Sequence, residues 1–337
     1  MAIKIIKKYP LLLPALLLVI VLPWVSPSAY IVRVFIEIFF FAAMGNAWNI
    51  IGGFGRQTSW ASATFFSVGA YTSVLLFVKG GGISPWISAI LGMAIAALLA
   101  LIIGLPCFRL RGVFFSIATI ACATIFRQLL IYFEGFTGGS LGLTLGVRMG
   151  DSLWNLNFLN DIPFYYIALI WMIVSVGIVI FIERNKLGYY LRAICEDQDA
   201  AEALGIRSSR VKLLAFVISC IMLAFTGTLY AFKVGFIDPN VVASHDMSIR
   251  VGIVAILGGM GTKWGPIIGA LISVPLLEIS NAYLQNVGGG GLGWVVYGLI
   301  IVLVVLFRPK GLISIWDDVM EKIKAKKARQ LDKGGTV

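Results

Sequence analysis

Apolar runs of roughly 15 to 22 residues recur along this chain, and none alternates polar and apolar side chains with period two. Coiled as helices, runs of that length match the thickness of the hydrocarbon core of a bilayer. Lipid offers no hydrogen-bond partner, and each unpaired backbone group there costs several kcal/mol, so only helices or closed barrels span it. Barrel strands would show the missing alternation. The chain is therefore expected to be an all-α, polytopic helical membrane protein. Composition agrees: 59% of the 337 residues are hydrophobic and only 13% charged, where soluble domains carry about 25%.

About ten spans can be drawn: Pro10–Val25, Tyr30–Ile51, Trp60–Val78, Pro85–Pro106, Val113–Phe133, Pro163–Ile182, Leu213–Phe232, Met247–Gly261, Pro266–Val287 and Trp294–Phe307. Polar or glycine residues interrupt the third and eighth, so the expected range is eight to ten. With the N-terminus inside, cytoplasmic segments hold 21 of the 27 Lys and Arg, and outer segments hold Lys79, Arg148 and Lys233. Basic residues are retained on the cytoplasmic side, so both termini and Glu196–Lys212 are expected there. The first 29 residues also fit a cleaved signal peptide, with Lys4, Lys7 and Lys8 at its start and Ser26 and Ser28 near its end. Trp24 and Pro27 favour an uncleaved anchor. Residues 1–307 then form one transmembrane domain with a hydrophilic loop at 183–212, and residues 308–337 form a basic cytoplasmic tail.

The net charge of +11 is what such a topology produces, so the expected polyanionic partner is membrane lipid and not nucleic acid. In the tail, Ile315, Trp316, Val319, Met320 and Ile323 repeat at helical spacing behind Ser314, with Lys322, Lys324, Lys326, Lys327 and Arg329 beside them. That pattern suits a helix lying on anionic lipid. Cys107, Cys122, Cys195 and Cys220 lack metal-ligand spacing, and the lone His245 has only Asp246 nearby, so no metal site is expected.

Charge is concentrated in one place. Glu196, Asp197, Asp199 and Glu202 with Arg207, Arg210 and Lys212 crowd a short stretch between two apolar runs. Asp197 and Asp199 suit a helix N-terminus, Ala200, Ala201, Ala203 and Leu204 are helix formers, and Gly205 can end the helix in a left-handed cap. Ser208 or Ser209 can cap the next helix. The result is a helix of about two turns, unstable alone in water, with Ala200, Ala201 and Leu204 on one side. It packs either on its own protein or on a partner.

Asp199-Ala200-Ala201, followed after three residues by Gly205, resembles the "EAA" loop of ABC importer permeases, with Asp in place of Glu. The wider run from Arg192 through "AICEDQDAAEALGIRSSRVKLLAFVISCIMLAFTGTLYA" is similar to the branched-chain amino acid permease family, in particular its LivM-type subunit. So are "RLRGVFFSIATIACATIFR" from Arg109, "TGGSLGL" from Thr137 and "LGGMGTKWGPIIGALI" from Leu257. The resemblance implies an importer permease in a bacterial or archaeal cytoplasmic membrane, paired with a homologous permease, two ATPase subunits and an extracytoplasmic binding protein. It also implies that Glu196, Asp197, Asp199, Ala200, Ala201, Leu204 and Gly205 dock on an ATPase. No G-x-x-x-x-G-K-[ST] phosphate loop is present in the chain. ATP and Mg are thus expected on the partner subunits, and no cofactor or enzymatic chemistry on this chain.

The substrate route is less legible. In the segment Gly52–Ser59, Arg56 stands where the family carries Gly, and Ala61 and Ser62 replace its Gly and His. Asn46 and Asn49, deep in the second span, are candidates for the route. Gln57, Ser59, Thr119, Thr137, Gly138 and Gly139 join them, although the last three also make a plain turn. Arg33 and Glu37, one helical turn apart, can neutralise each other. Arg127, Arg250 and Glu278 either line a cavity or pair between helices. Gly52-Gly53-x-Gly55 and Gly258-Gly259-x-Gly261 each end a span, as a duplicated half would or as chance allows. Three alternatives remain: a urea or short-amide importer, a proton-coupled secondary transporter using Glu37 or Glu278, and a membrane enzyme, for which no catalytic constellation is visible.

Overall fold

The computed structural model describes residues 12–25, 28–110, 112–146, 150–288, 291–308 and 311–314. The expected tail helix from Ile315 onward lies outside the described residues. In chain order the helices are α1 (Leu12–Val25), α2 (Ala29–Gly52), α3 (Ser62–Val78), α4 (Pro85–Cys107), α5 (Val113–Tyr132), α6 (Glu134–Thr137), α7 (Ile162–Arg184), α8 (Lys186–Glu196), α9 (Gln198–Ala203), α10 (Ser208–Val234), α11 (Pro239–Val242), α12 (His245–Gly258), α13 (Gly265–Gly288) and α14 (Leu292–Phe307). Two short strands, β1 (Leu143–Thr144) and β2 (Phe236–Ile237), pair antiparallel with Leu143 opposite Ile237.

Each expected apolar run falls on a helix, but among the described residues only seven segments are long and apolar enough to cross a membrane. They are α2, α4, α5, α7, α10, the combined stretch Pro239–Gly258, and α13 over Gly265–Tyr283. α1, α3 and α14 have 14, 17 and 16 residues. At 1.5 Å per residue even 17 residues reach only about 25 Å, against a core of about 30 Å. The protein is thus a helical, multi-pass membrane protein.

α2 is the axis of the bundle. Every residue from Ile38 to Gly52 is buried, as expected of a helix that is apolar on all sides, and α7, α10, α12 and α13 pack around it. α4 inverts the soluble pattern. It turns Ser88, Ala89, Gly92, Ala96, Ala100 and Gly104 inward and leaves Ile90, Leu98, Ile102 and Leu105 exposed. Lipid is as apolar as leucine, so contact between spanning helices comes from close approach of small residues. The same device joins α3 to α10: a Cβ on Gly69 would overlap the Ala224 carbonyl, and one on Gly227 would overlap the Phe66 carbonyl. The Ser73 and Thr228 hydroxyls bond across this seam at 2.7 Å.

Charges inside the bundle pair over long sequence distances. Arg33 does not neutralise Glu37. Its Nε donates to Asp161 at 2.8 Å, and Lys233 Nζ donates to the other carboxylate oxygen of Asp161. Glu37 instead shares a cluster with Glu278 and Arg250, and the Arg250 guanidinium lies 4.3 Å from the Phe41 ring centre. The reason is geometric: Arg33 sits near the end of α2, where its reach to the start of α7 costs no burial of charge.

Two outcomes are expected. Gly69→Ala or Gly227→Ala should force α3 and α10 apart and lower stability by about 1–3 kcal/mol, read as a lower Tm in detergent. Gly177→Ala, whose Cβ meets nothing within 4 Å, should not lower it. Burial alone would raise the Asp161 carboxyl, but hydrogen bonds from Lys233 and Arg33 hold it below the usual carboxylate range. Its folded value therefore lies below the unfolded value of about 3.9, and the bracket's contribution is present above that pH and lost as pH falls through the folded value. The Tm gap between wild type and Asp161→Asn should be open at pH 7 and close as the medium is acidified below about pH 4.

Candidate functional site

The hydrophilic loop is built from two helices of opposite character. α8 buries Leu191 and Ile194, with Leu187 half-buried, and turns Tyr189, Tyr190 and Arg192 outward, an apolar stripe at helical spacing. Glu196 ends it, exposed. Asp197 leaves the helical conformation, and its carboxylate accepts the N–H groups of Asp199 at 2.9 Å and Ala200 at 3.0 Å. Asp197 is thus the N-cap of α9. At the other end the Ile206 N–H reaches the Ala201 carbonyl at 3.1 Å, and the Gly205 N–H reaches that of Glu202 at 2.9 Å. Gly205 has φ +86°. Those two bonds around a left-handed glycine are a Schellman cap.

The apolar side expected of α9 is divided. Ala201 is buried, whereas Ala200, with Asp199 beside it, is exposed and Leu204 is 84% exposed. Leu204 lies past the end of the helix, at its C-cap, so helical spacing no longer aligns it with Ala201. The expected serine cap of α10 is absent: Arg207 occupies the N-cap position, and the buried Ser208 hydroxyl has no partner among the described residues. Lys212 of α10 donates to Gln198 of α9 at 2.7 Å, which holds the loop against the bundle.

From α8 a polar chain leads inward. Arg192 donates to Glu183 at 2.7 Å and lies over the Phe54 ring, and Lys263 donates to the other Glu183 oxygen at 3.3 Å. Lys263 follows the second glycine motif, Phe54 lies in the first, and Asn49 joins the two motifs directly. The Asn49 side chain donates to the Thr262 carbonyl at 2.8 Å and accepts the Gly261 N–H at 2.8 Å. A Cβ on Gly53 would clash with Gly261 N at 2.5 Å. The two glycine-rich segments are therefore neighbours in space, close-packed and clasped by one amide.

The remaining route candidates do not gather round one cavity. Asn46 donates to Ser175 of α7 at 3.0 Å, and its Oδ1 has no partner among the described residues. Gln57, Ser59 and Thr119 meet at the irregular segment between α2 and α3. There the Ser59 carbonyl accepts from the Trp48 indole at 2.8 Å, the Thr119 hydroxyl accepts the Trp60 N–H at 3.2 Å, and the Gln57 N–H reaches the Ile51 carbonyl at 3.1 Å. Their polar groups largely serve the buried backbone. Thr137, Gly138 and Gly139 close the far end of α5: the Thr137 hydroxyl donates to the carbonyls of Leu130 at 2.5 Å and Phe133 at 2.9 Å, and both glycines have positive φ. Leu141, two residues beyond Gly139, is 80% exposed.

Glu183, Lys263, Asp161 and Ser248 were not singled out from sequence. Their partners lie 72 or more residues away, except for Arg192 beside Glu183, and no local pattern marks them. Among the described residues, no group of three or more His, Cys, Asp or Glu side chains could hold a metal, and all four cysteines are free.

The family described as "Branched-chain amino acid transport system / permease component" matches residues 30–306. The high-affinity branched-chain amino acid transport system permease protein LivM of Salmonella typhimurium is 29% identical over 296 residues, covering 81% of this chain and 67% of that protein. BraD of Pseudomonas aeruginosa, with the same description, is 30% identical over 49% of this chain and 53% of its own length. LivH of Escherichia coli is 33% identical over 44% and 47%. No solved structure matches. A multi-pass helical bundle matched over most of its length in this way belongs to the family of branched-chain amino acid transport system permease components, which are transport subunits and not enzymes.

Proposed function

We propose that the chain is the membrane half-pore of an ATP-driven importer for branched-chain amino acids in a bacterial or archaeal cytoplasmic membrane. Its partners are a homologous permease, two ATPase subunits that bind ATP and Mg, and an extracytoplasmic binding protein. Residues 1–307 form the permease domain and 308–337 a basic tail. Loop 183–212 is the cytoplasmic coupling element, with Glu196, Asp197, Asp199, Ala200, Leu204 and Gly205 as its docking rim and Ala201 as its anchor to the bundle.

One observation carries this reading. A helix of six residues, too short to persist in water, is capped at both ends, pinned to α10 and left with Leu204 almost fully exposed. An exposed large apolar side chain on a rigid polar projection suits a protein partner. The Arg192–Glu183–Lys263 chain and the Asn49 clasp supply a stiff connection from that projection to the axial helix, so that displacement of α9 reaches α2. The candidates Asn46, Asn49, Gln57, Ser59, Thr119, Thr137, Gly138 and Gly139 act on the route mainly by shaping its walls. The names of the relatives LivM, BraD and LivH, permeases of branched-chain amino acid transport, support the substrate class and the second permease.

In the reconstituted complex with ATPases and binding protein, leucine should stimulate ATP hydrolysis and urea should not. The reverse result would replace the substrate class. Gly205→Val places a β-branched residue where a left-handed conformation costs about 1–2 kcal/mol, with no steric obstacle nearby. Uptake should fall roughly tenfold or more, a change equivalent to about 1.4 kcal/mol, while membrane insertion is unchanged. Wild-type uptake by that variant would contradict the coupling role.

A further inference from the structure

α5 is unusual among the spanning helices. Only 22% of its most apolar window is buried in the protein, against 83% for α2. Its open side carries a polar row, Thr124, Arg127 and Gln128, at the three- and four-residue spacing that aligns side chains on one face. At the centre of a span an arginine facing lipid costs about 2.5–3.5 kcal/mol on insertion scales, and ionisable residues within spans face protein or water. Arg127 has no ion-pair partner among the described residues. Its Nη2 donates to Asn240 Oδ1 at 2.6 Å, while its Nε, although shielded, has no partner there. The neighbouring acid, Asp238, is engaged with Asn240 at 3.1 Å.

The elements facing this row are themselves interrupted. The candidate span Pro239–Gly258 is not one helix: α11 ends at Val242 and α12 begins at His245, with Ala243 and Ser244 between them. His245 Nε2 lies 3.1 Å from the Thr124 hydroxyl. Non-helical backbone at membrane depth is stable only where protein covers it or where it lines a wet cavity, and here Ser244 and His245 are half-buried and Val241 is 52% exposed. Broken spans are where transporters hold ionic solutes, with half-helix ends facing the solute, and here an arginine without an ion-pair partner among the described residues stands beside the break.

We propose that Arg127 is the carboxylate-recognising residue of the translocation route, on a water-facing wall formed by α5 and the α11–α12 break, so that the route favours solutes bearing a carboxylate over neutral amides. The assignment rests on the importer reading above and deepens it. A guanidinium held by one neutral amide keeps donors for an anion and lacks a resident carboxylate to displace. That matches a weak, transient contact on a route better than a static brace does.

Two measurements on the full reconstituted transporter test this. In the first, leucine uptake is compared for wild type, Arg127→Gln, Arg127→Lys and Asn240→Ala. Arg127→Gln should lose roughly tenfold or more, Arg127→Lys should recover part of that loss, and Asn240→Ala should lose much less. In the second, the Arg127→Cys thiol should react with an anionic, membrane-impermeant thiosulfonate above the background of the four native cysteines. Wild-type uptake by Arg127→Gln, an equal loss in Asn240→Ala, or a thiol reached only by lipid-soluble reagents would each overturn the assignment. Absence of leucine uptake by the wild-type complex would instead overturn the importer reading.

Discussion

A peptide group in lipid has no water to bond, and that constraint decides where this chain can depart from helix. Two departures among the described residues show how this is met. The segment between α2 and α3 is largely buried, with Arg56 exposed, and its backbone and the first turn of α3 are satisfied by the Trp48 indole and the hydroxyls of Ser116, Thr119 and Ser248. The break between α11 and α12 has its own remedy: the Ser244 hydroxyl caps α12 by accepting the Met247 N–H at 3.1 Å.

The same solvent explains the packing. Helices in lipid gain little by burying leucine, so α4 presents its small residues to α3 and α10 and its large ones outward. Charges then collect where helices end, at Asp161 on one side of the bundle and at Glu183 on the other. Each receives two cations, so each ties three segments together: α2, α7 and α10 at Asp161, and α7, α8 and the loop after α12 at Glu183.

These features favour transmission of motion as a unit. α9 is too short to bend and is fixed at both caps. The connection through Glu183 and Asn49 contains no long flexible linker. The Asn49 clasp joins α2 to the loop that precedes α13, so under the proposed coupling role movement of the cytoplasmic loop would reach both. At the opposite end the open face of α5 meets the broken span, where a change of helix packing would alter exposure of Arg127 and His245.

Sequence alone determined the class of fold, because hydrophobic run length is a direct measure of membrane thickness and every expected run lies on a helix. It also determined the left-handed glycine at position 205, since cap chemistry is local. It did not determine which runs are full-length spans: α3 and α14 are apolar but fall short by a few residues, a margin finer than composition resolves. Only the tertiary structure decided the partners of polar groups. Arg33 turned from Glu37, four residues away, to Asp161, 128 residues away, and Asn49 proved to join two glycine motifs 206 residues apart in the chain. In a bundle, the neighbour of a side chain is set by helix rotation and crossing, which hydrophobic pattern constrains weakly when every face is apolar.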